Sequence, residues 1–321
     1  MKEIVIVSGK GGTGKTSITG AFAALAERPV IADCDVDAAD LHLILNPTIS
    51  ETHPFSGGRR ARIDAARCTG SGACFDVCRF GAISVVTDDD GKTRAHVDPV
   101  ACEGCGVCAW FCPAKAMQFE ESQNGEWFVS DTRFGPMVHA KMGVAEENSG
   151  KLVTLVRNKA RQIAEEHGLE WILVDGSPGI GCPVIASITG ADLVMIVTEP
   201  TVSGEHDLDR VADLAAHFRI PIAVCVNKAD INPEVTERIR ARTLARGLAF
   251  AGTIPYDSGV TAAQVAQKTI IEHDAGSLAE AVRNIWTIVS ALTVSRGQKS
   301  ACASCGQCSG STGASVTGDQ S

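Results

Sequence analysis

The sequence lacks the features of a nucleic-acid-binding protein. It has one tyrosine and four tryptophans, and aromatic residues make up only 5% of its 321 residues. So few aromatic side chains leave little surface on which bases can stack. Acidic residues outnumber basic ones, 38 against 29, which gives a formal net charge of −9. Because nucleic-acid backbones are bound by clustered Lys and Arg, the composition argues against this class of partner.

Long apolar runs are also missing. No stretch approaches the roughly 20 apolar residues of a membrane-spanning helix, so no membrane insertion is predicted. Gly9 follows the apolar run Ile4–Val7 too soon for the core of a secretory signal. These absences predict a cytoplasmic protein, a compartment in which thiols stay reduced.

Cysteine, by contrast, is abundant. The chain has 13 cysteines, and ten of them lie in three short runs. In a reducing compartment, cysteines clustered at close spacing indicate metal ligands and not disulfides.

Short apolar runs alternate with amphipathic stretches along most of the chain. This alternation is typical of β-α-β units and predicts an α/β fold with a mostly parallel, doubly wound sheet. The predicted strands are Ile4–Val7, Val30–Ala32, Trp171–Val174, Leu193–Val197, Ile222–Val226 and Ala249–Ile254. The predicted helices are Ser17–Glu27, Leu152–Glu166, Glu205–His217, Pro233–Arg246 and Ser277–Leu292.

A phosphate-binding loop is predicted between the first strand and the first helix. Residues 9–16 read Gly-Lys-Gly-Gly-Thr-Gly-Lys-Thr and fit the pattern G-x-x-x-x-G-K-S/T in its strand-to-helix context. Glycines let backbone N–H groups turn toward phosphate oxygens, and the helix N-terminus adds its positive end. We expect Lys15 to contact the β- and γ-phosphates and the Thr16 hydroxyl to bind Mg²⁺. The other nucleotide contacts predicted here are Gly9, Gly11, Gly12, Thr13, Gly14 and Ser17.

Lys10 is a second lysine early in this loop. It resembles the deviant Walker A signature of the P-loop ATPase group that includes MinD, ParA, ArsA and the nitrogenase iron protein. The resemblance covers residues 1–51 and about 136–293. It implies an ATPase that dimerises around its nucleotides, as a homodimer or as a heterodimer with a related ATPase. In such a dimer Lys10 contacts the partner's nucleotide, so Lys10 and Lys15 are both candidate catalytic residues.

The same resemblance assigns roles to two acidic segments. Asp35, in the run Asp33–Asp37, matches the family's water-orienting aspartate, and a carboxylate can align water for phosphoryl transfer. Asp175 follows the predicted strand Trp171–Val174 and is expected to hold Mg²⁺. Gly179 is expected to supply a backbone amide close to the γ-phosphate.

The base of the nucleotide is left open between adenine and guanine. Asn227 and Asp230 lie in an Asn-Lys-Ala-Asp run, which read alone suggests guanine. The family uses the corresponding Asn for adenine, with a later loop that here contains Pro255. The deviant lysine favours ATP over GTP.

The closely spaced cysteines predict iron–sulfur chemistry. Residues 102–113 carry the complete Cys-x-x-Cys-x-x-Cys-x-x-x-Cys-Pro run of a bacterial ferredoxin. In that run three thiolates bind one 4Fe–4S cluster and the fourth cysteine binds the other. One complete set is therefore Cys102, Cys105, Cys108 and Cys78. Zinc is the weaker alternative.

The cysteine segment contains a near-repeat with one departure. Three cysteines of its first half each precede a counterpart by 34 residues, but the residue 34 before Cys105 is Ser71. The second set is thus Cys68, Cys74 and Cys112, with a serine at the fourth position. Three states of this second site are open. It could hold a full cluster with an oxygen or external ligand, a three-iron cluster, or a labile or absent cluster. The last of these is expected.

These motifs divide the chain into three parts. Residues 1–51 plus 136–293 are predicted to form the P-loop ATPase domain. Residues 52–135 are predicted to be an inserted, small α+β, bacterial-ferredoxin-like domain with its connections. The segment 294–321 is Gly/Ser/Gln-rich and predicts a flexible tail, in which Cys302, Cys305 and Cys308 form either a transient or partner-completed metal site or an adventitious cluster.

Three functions are compatible with these motifs. The first is an ATPase whose nucleotide state is coupled to electron transfer through the clusters, with a redox protein as partner. The second is an iron–sulfur carrier of the Mrp type with a cluster-acceptor protein, although the Cys-Pro-x-Cys pair of that type is represented only by Cys182-Pro183. The third is a positioning ATPase like MinD or ParA, with clusters that only stabilise the fold.

Overall fold

The apolar runs of the sequence form the centre of one large sheet. The computed structural model describes residues 1–304 except 89, 144–148 and 274–275, and side chains up to residue 293. The strands in these residues are β1 (Lys2–Ser8), β2 (Val30–Asp33), β3 (Thr48–Ile63), β4 (Ile83–Thr87), β5 (Thr93–Val97), β6 (Met117–Asp131), β7 (Pro136–Met142), β8 (Trp171–Pro178), β9 (Leu193–Thr198), β10 (Ile222–Asn227) and β11 (Ala249–Ile254).

Helices lie between most of these strands. Those described are α1 (Lys15–Leu25), α2 (Leu41–Leu45), α3 (Ala73–Val77), α4 (Val107–Trp110), α5 (Ser149–His167), α6 (Cys182–Ile188), α7 (Val202–His217), α8 (Pro233–Ala245), α9 (Gly259–Val265), α10 (Ile270–His273) and α11 (Ser277–Ser304). None of the helices in the described part of the chain is long and apolar enough to cross a membrane.

The main sheet is mostly parallel, as predicted. Its strand order is β11-β10-β9-β1-β8-β2-β7-β6-β3. Strand β6 pairs antiparallel with both β7 and β3, whereas the pairs from β11 to β7 are parallel. Parallel strands covered on both faces consist of nearly continuous apolar residues, which is why the six predicted strands were recognisable.

Helices cover both faces of this sheet. On one face, α5, α6, α7 and α8 contribute Val156, Val184, Val211 and Ile239 to one buried cluster. On the other, α1 and α11 contribute Phe22 and Val282 to a second cluster. Burial of apolar surface on both faces stabilises the doubly wound arrangement, at about 25 cal/mol per Å² of apolar area.

The final helix ends later than predicted. It was expected to stop at Leu292, before a tail without regular structure, but α11 continues to Ser304. Residues 295–304 contain Arg, Gln, Lys and two Ala, which favour helix, and Gly297 is the single glycine. The predicted end of the helix was therefore wrong, and residues 305–321 lie outside the described part of the chain.

Two long antiparallel strands extend the sheet beyond its parallel part. Strand β3 pairs with β6 from Thr48↔Asp131 to Ile63↔Met117, but β7 pairs only with Gly125–Asp131 of β6. The paired segments 56–63 and 117–123, here called the arm, therefore extend past Met142 at the C-terminal end of β7. Since β7 is parallel to β2, β8 and β1, the arm leaves the same sheet edge at which β1 meets the phosphate-loop motif.

Residues 64–116 lie at the end of the arm and are here called the cysteine module. They contain α3, α4 and a two-stranded sheet formed by β4 and β5. Their small core, shared with the arm, consists of Ala61, Cys74, Ile83, Ala95, Cys108 and Met117. The sequence predicted an inserted domain with its connections over residues 52–135, but it did not predict the long strands that carry the module.

Candidate functional site

The predicted phosphate loop connects β1 to α1 and lines a cavity. Its lining includes Gly11, Gly12, Thr13, Gly14, Lys15, Thr16 and Ser17, together with Asp35. Gly14 has φ +88°, and a Cβ there would lie 2.3 Å from Nδ2 of Asn227. Only glycine fits both this backbone conformation and this close approach. Gly14 immediately precedes α1, which begins at Lys15, two residues earlier than predicted.

Lys15 lies among the predicted acidic residues. Its side chain is only 5% exposed, and Nζ lies 2.8 Å from Oδ1 of Asp175 and 3.3 Å from Oδ2 of Asp35. The Thr16 hydroxyl donates to Oδ2 of Asp175 at 2.7 Å. Burial opposes the charge of Lys15, but Asp175 and Asp35 outweigh it and raise the pKa of Lys15 above its ordinary value. Strand β8 and the segment after β2 thus bring both predicted carboxylates to one lysine.

A third carboxylate, Asp33, lies behind this group. It is fully buried and accepts from the backbone N–H groups of Asp35 (3.1 Å) and Leu41 (3.3 Å). Burial first, and then repulsion from Asp175, raises the pKa of Asp33 well above its usual range. Three carboxyl groups, those of Asp33, Asp35 and Asp175, thus act on Lys15.

The opposite wall of the cavity comes from elements that the sequence did not point to. It includes Leu43 and Ile44 from α2, and Gln264 and Val265 from α9. Gln264 Nε2 donates to Oγ of Ser17 at 2.9 Å, which joins α9 to the start of α1. No motif marks these short helices, so only the fold identifies them.

Lys10 is held by its own chain. Its Nζ lies 3.2 Å from Oε2 of Glu199 and 3.4 Å from Oγ of Ser203. Lys228 also pairs with Glu199 and donates to the carbonyl of Gly12 at 3.1 Å. Burial opposes ionisation of Glu199, but hydrogen bonds from Lys228 and Lys10 lower its pKa.

The remaining predicted nucleotide residues fall into two places. Gly179 N–H donates to the Ser8 carbonyl at 2.8 Å, and Nδ2 of Asn227 donates to the Thr13 carbonyl at 2.8 Å, so both lie at the loop. Asp230 accepts from the Tyr256 N–H at 2.6 Å and is exposed, as is Pro255. Neither Asp230 nor Pro255 is among the residues that line the cavity.

The structure separates the cysteines of the module into the two predicted sets. One cavity is lined by Cys78, Cys102, Cys105 and Cys108. A second cavity, of about 340 Å³ including its open side, is lined by Cys68, Cys74, Cys112 and Ser71. Within the described residues, however, no group of three or more His, Cys, Asp or Glu is arranged to hold a single metal ion.

The thiols of each set influence one another. Burial, together with the charges of Cys102 and Cys105, raises the pKa of Cys108 to about 11. Burial raises the pKa of Cys74 as well, and Cys112 and Cys68 add to the effect. Ligands of a metal must be deprotonated, so a positively charged group would have to displace these protons.

The other cysteines lie apart from these sets. Cys34 and Cys225 are buried, and Cys182 is exposed at the start of α6. The side chain of Cys302 is not described, and Cys305 and Cys308 lie beyond the described residues.

Large apolar side chains are exposed on the cysteine module. Phe80 and Val107 line the four-cysteine cavity and are about half exposed. Phe75, Phe111 and Trp110 lie on or next to α3 and α4 and are also exposed, Trp110 at 92%. Two of these exposed side chains, Phe80 and Val107, thus lie at the four-cysteine cavity.

Comparison with known proteins places the chain in a family. Residues 4–270 match the model of the CobQ/CobB/MinD/ParA nucleotide-binding domain. The chain belongs to this family. An uncharacterized protein of Methanocaldococcus jannaschii is 33% identical over 241 residues, which cover 72% of this chain and 79% of that protein. A second uncharacterized protein of the same organism is 25% identical over 245 residues, covering 72% and 83%.

Solved structures of MinD proteins have the same fold. The cell division ATPase MinD of Pyrococcus furiosus has a TM-score of 0.54 at 16% identity, over 91% of this chain and 99% of that one. MinD of Pyrococcus horikoshii with Mg-ADP has the same TM-score and identity, and the match covers 91% of this chain and 96% of that one. In the MinC:MinD complex of Aquifex aeolicus, the TM-score is 0.51 at 19% identity, over 91% and 96%. At these identities the likeness concerns the fold alone.

Membership of the MinD/ParA family supports the predicted P-loop ATPase. The same similarities give no support to iron–sulfur electron transfer or to an inserted ferredoxin domain. Of the three functions considered from the sequence, they favour the third, an ATPase of the MinD/ParA type.

Proposed function

We propose that this MinD/ParA-family protein is a Mg²⁺-dependent ATPase whose nucleotide state is coupled to iron–sulfur clusters in its cysteine module. The observation that supports it best is the grouping of Cys78, Cys102, Cys105 and Cys108 around one cavity, at the end of an arm that leaves the nucleotide edge of the sheet.

The nucleotide side of the proposal follows from the phosphate loop. Lys15 would bind the β- and γ-phosphates, while Thr16 and Asp175 would hold Mg²⁺. Asp35 would orient the attacking water, and the Gly179 N–H would exchange its contact with the Ser8 carbonyl for the γ-phosphate. Phosphoryl transfer needs mainly positioning and charge stabilisation, which this group of residues is suited to supply. The MinD structure with Mg-ADP supports the choice of ligand.

The proposed active state is a dimer around the nucleotides. Lys10, partly exposed and paired with Glu199 in the single chain, would exchange this contact for the phosphates of its partner's nucleotide. Asn227, at the loop, would lie toward the adenine, with Asp230 and Pro255 in the adjacent segment. Such a cycle would be slow in the monomer and stimulated by a partner.

The donor set of the cysteine module fits an iron–sulfur cluster. Thiolates select zinc, copper(I) and iron–sulfur clusters, and zinc needs its thiolates about 2.3 Å from one ion. No group in the described residues converges in that way. In a 4Fe–4S cluster each cysteine binds a different iron, so the thiolates surround a larger body. Cys78, Cys102, Cys105 and Cys108 would hold that cluster, which supplies one-electron chemistry when bound.

The proposed partner is a small redox protein that contacts the exposed apolar surface around Cys105. Phe80 and Val107 border both this surface and the four-cysteine cavity, so a protein bound there would lie next to the cluster. Electron-transfer complexes have small interfaces, below about 1,200 Å², and a patch of this kind suits such a contact.

A second candidate is a positioning ATPase in which the clusters only stabilise the fold, and the comparisons favour it.

An EPR-monitored redox titration of anaerobically purified protein, with and without MgATP, distinguishes the two. We expect MgATP to shift the cluster midpoint potential, with about 59 mV corresponding to tenfold coupling.

Equal midpoints in the two titrations would contradict coupling and favour the positioning ATPase. Transfer of the cluster to an apo-acceptor protein, in the presence of MgATP, would favour the carrier instead.

Completing the second cysteine set is expected to create a stable cluster. Ser71 lines the same cavity as Cys68, Cys74 and Cys112, and its hydroxyl is a harder ligand than a thiolate. We expect Ser71→Cys to raise bound iron by about four atoms per chain, the content of one further 4Fe–4S cluster. Iron and sulfide analysis with EPR measures the change. Ser84→Cys, at an exposed position on β4, is the control, and an equal gain there would contradict the assignment.

A further inference from the structure

The segment that carries Asp35 is hydrogen-bonded to the end of β7. The Met142 N–H donates to the carbonyl of Val36, the residue after Asp35, at 3.3 Å. Val36 is buried. A change at Asp35 on nucleotide binding would therefore reach the C-terminal end of β7 directly.

Asn124 joins this end of β7 to the base of the arm. Its carbonyl accepts from the Gly143 N–H at 2.8 Å, and its side-chain Oδ1 accepts from the Gly57 N–H at 2.7 Å. The side chain is buried, with 5% of the residue exposed. One residue thus connects β7 to β3 through two hydrogen bonds that do not belong to the regular strand pairing.

Gly57 lies at an irregularity in the β3–β6 pairing. The register shifts between Phe55 and Ser56 and again between Ser56 and Gly58, so Gly57 has no partner position on β6. Lys151 Nζ donates to the Gly57 carbonyl at 3.1 Å. Such bulges bend and twist a strand, and this one is held by two side chains from other elements.

The arm in turn contacts the cysteine ligand loop. Gly104 stands between Cys102 and Cys105, has φ +61°, and would place a Cβ 2.0 Å from the carbonyl oxygen of Arg59. The loop therefore packs directly on the arm backbone, two residues beyond Gly57. A change in the bulge would alter the position of this loop.

We infer that Asn124 is a positioning residue that couples the nucleotide site to the cysteine module. It acts by fixing the Gly57 bulge relative to β7, so that the segment after Asp35 and the Cys102–Cys105 loop move together. Chains of hydrogen bonds can carry coupling between sites, and one such chain runs through Val36, Met142, Gly143, Asn124 and Gly57. The inference deepens the proposed function and rests on it for its biological meaning.

Hydrogen exchange of the full-length, cluster-loaded protein, with and without MgATP, tests the coupling apart from redox chemistry. In the unmodified protein, MgATP is expected to change amide exchange in residues 101–108 at least about twofold. Asn124→Ala is expected to abolish that change while bound iron and ATP binding stay the same. Asn124→Asp keeps an acceptor for the Gly57 N–H and is expected to retain the change. Gln123→Ala, at the exposed neighbouring position, is the matched control.

Each result decides one of the two proposals. If MgATP leaves exchange in residues 101–108 unaltered in the unmodified protein, or if Asn124→Ala responds like Gln123→Ala, the inference is overturned. If the exchange response depends on Asn124 but the midpoint potential does not respond to MgATP, the coupling stands and the electron-transfer function fails.

Discussion

Replacing Lys15 with alanine is expected to reduce ATP hydrolysis by a factor on the order of 10²–10³, the usual loss when one charge-stabilising donor is removed from an active site. The ammonium group is 2.8 Å from Asp175 and 3.3 Å from Asp35, in a site where Asp33 is also buried. Without it, these carboxylates would repel the phosphates. Phosphate release under saturating MgATP measures the rate, and equilibrium binding of ATP measures the accompanying loss of affinity.

Lys10→Ala provides the matched comparison. Lys10 is a lysine of the same loop, but its amino group points to Glu199 and not to Asp175. We expect this variant to keep ATP affinity within about threefold while losing the ATP-dependent dimer, because the proposed role of Lys10 is to contact the partner's nucleotide and not the nucleotide bound by its own chain. Light scattering after size exclusion reports the dimer. Equal losses of ATP affinity in both variants would contradict the separate roles.

Replacing Cys105 with alanine is expected to remove the cluster of the complete set. Cys105 is the exposed member of the four, so its truncation removes little packing and tests ligation itself. Mutating a residue that only hydrogen-bonds to a metal ligand typically lowers metal affinity 10–100-fold. Loss of a ligand itself is therefore expected to lower the iron bound by these four cysteines at least about tenfold. Iron analysis and the EPR signal of the reduced protein give the result.

Cys182→Ala is the control for this variant. Cys182 is also an exposed cysteine, but it lies at the start of α6, outside both sets. Iron content and EPR signal should stay at the level of the unmodified protein. An unchanged signal in Cys105→Ala, or an equal loss in Cys182→Ala, would show that the four-cysteine set does not hold the cluster.

The parallel part of the fold was predictable because its signal is local. Strands such as Val194–Val197 in β9 are buried on both faces and read as apolar runs between helical patterns. The α/β class and the mostly parallel sheet were confirmed. The predicted end of α11 was wrong, because a Gly/Ser/Gln-rich composition does not by itself prevent a helix.

The arm was not predictable in this way. Strand β3 has an exposed and irregular pattern over much of its length, and residues with alternating exposure give a weaker signal than a buried run. Its partner β6 lies more than 50 residues further along the chain, so the pairing depends on the register between distant segments.

The sequence by itself determined which chemical groups this protein carries and at what spacing. The phosphate loop, Asp35, Asp175 and the spaced cysteines are short motifs whose chemistry depends on residue type and spacing, both of which are written in the chain. Only the tertiary structure decided how these groups meet. It placed Gln264 and Leu43 around the loop, paired Lys10 with Glu199, and joined Asn124 to Gly57. These contacts connect residues far apart in sequence, so they follow from packing and strand register and leave no local pattern to read.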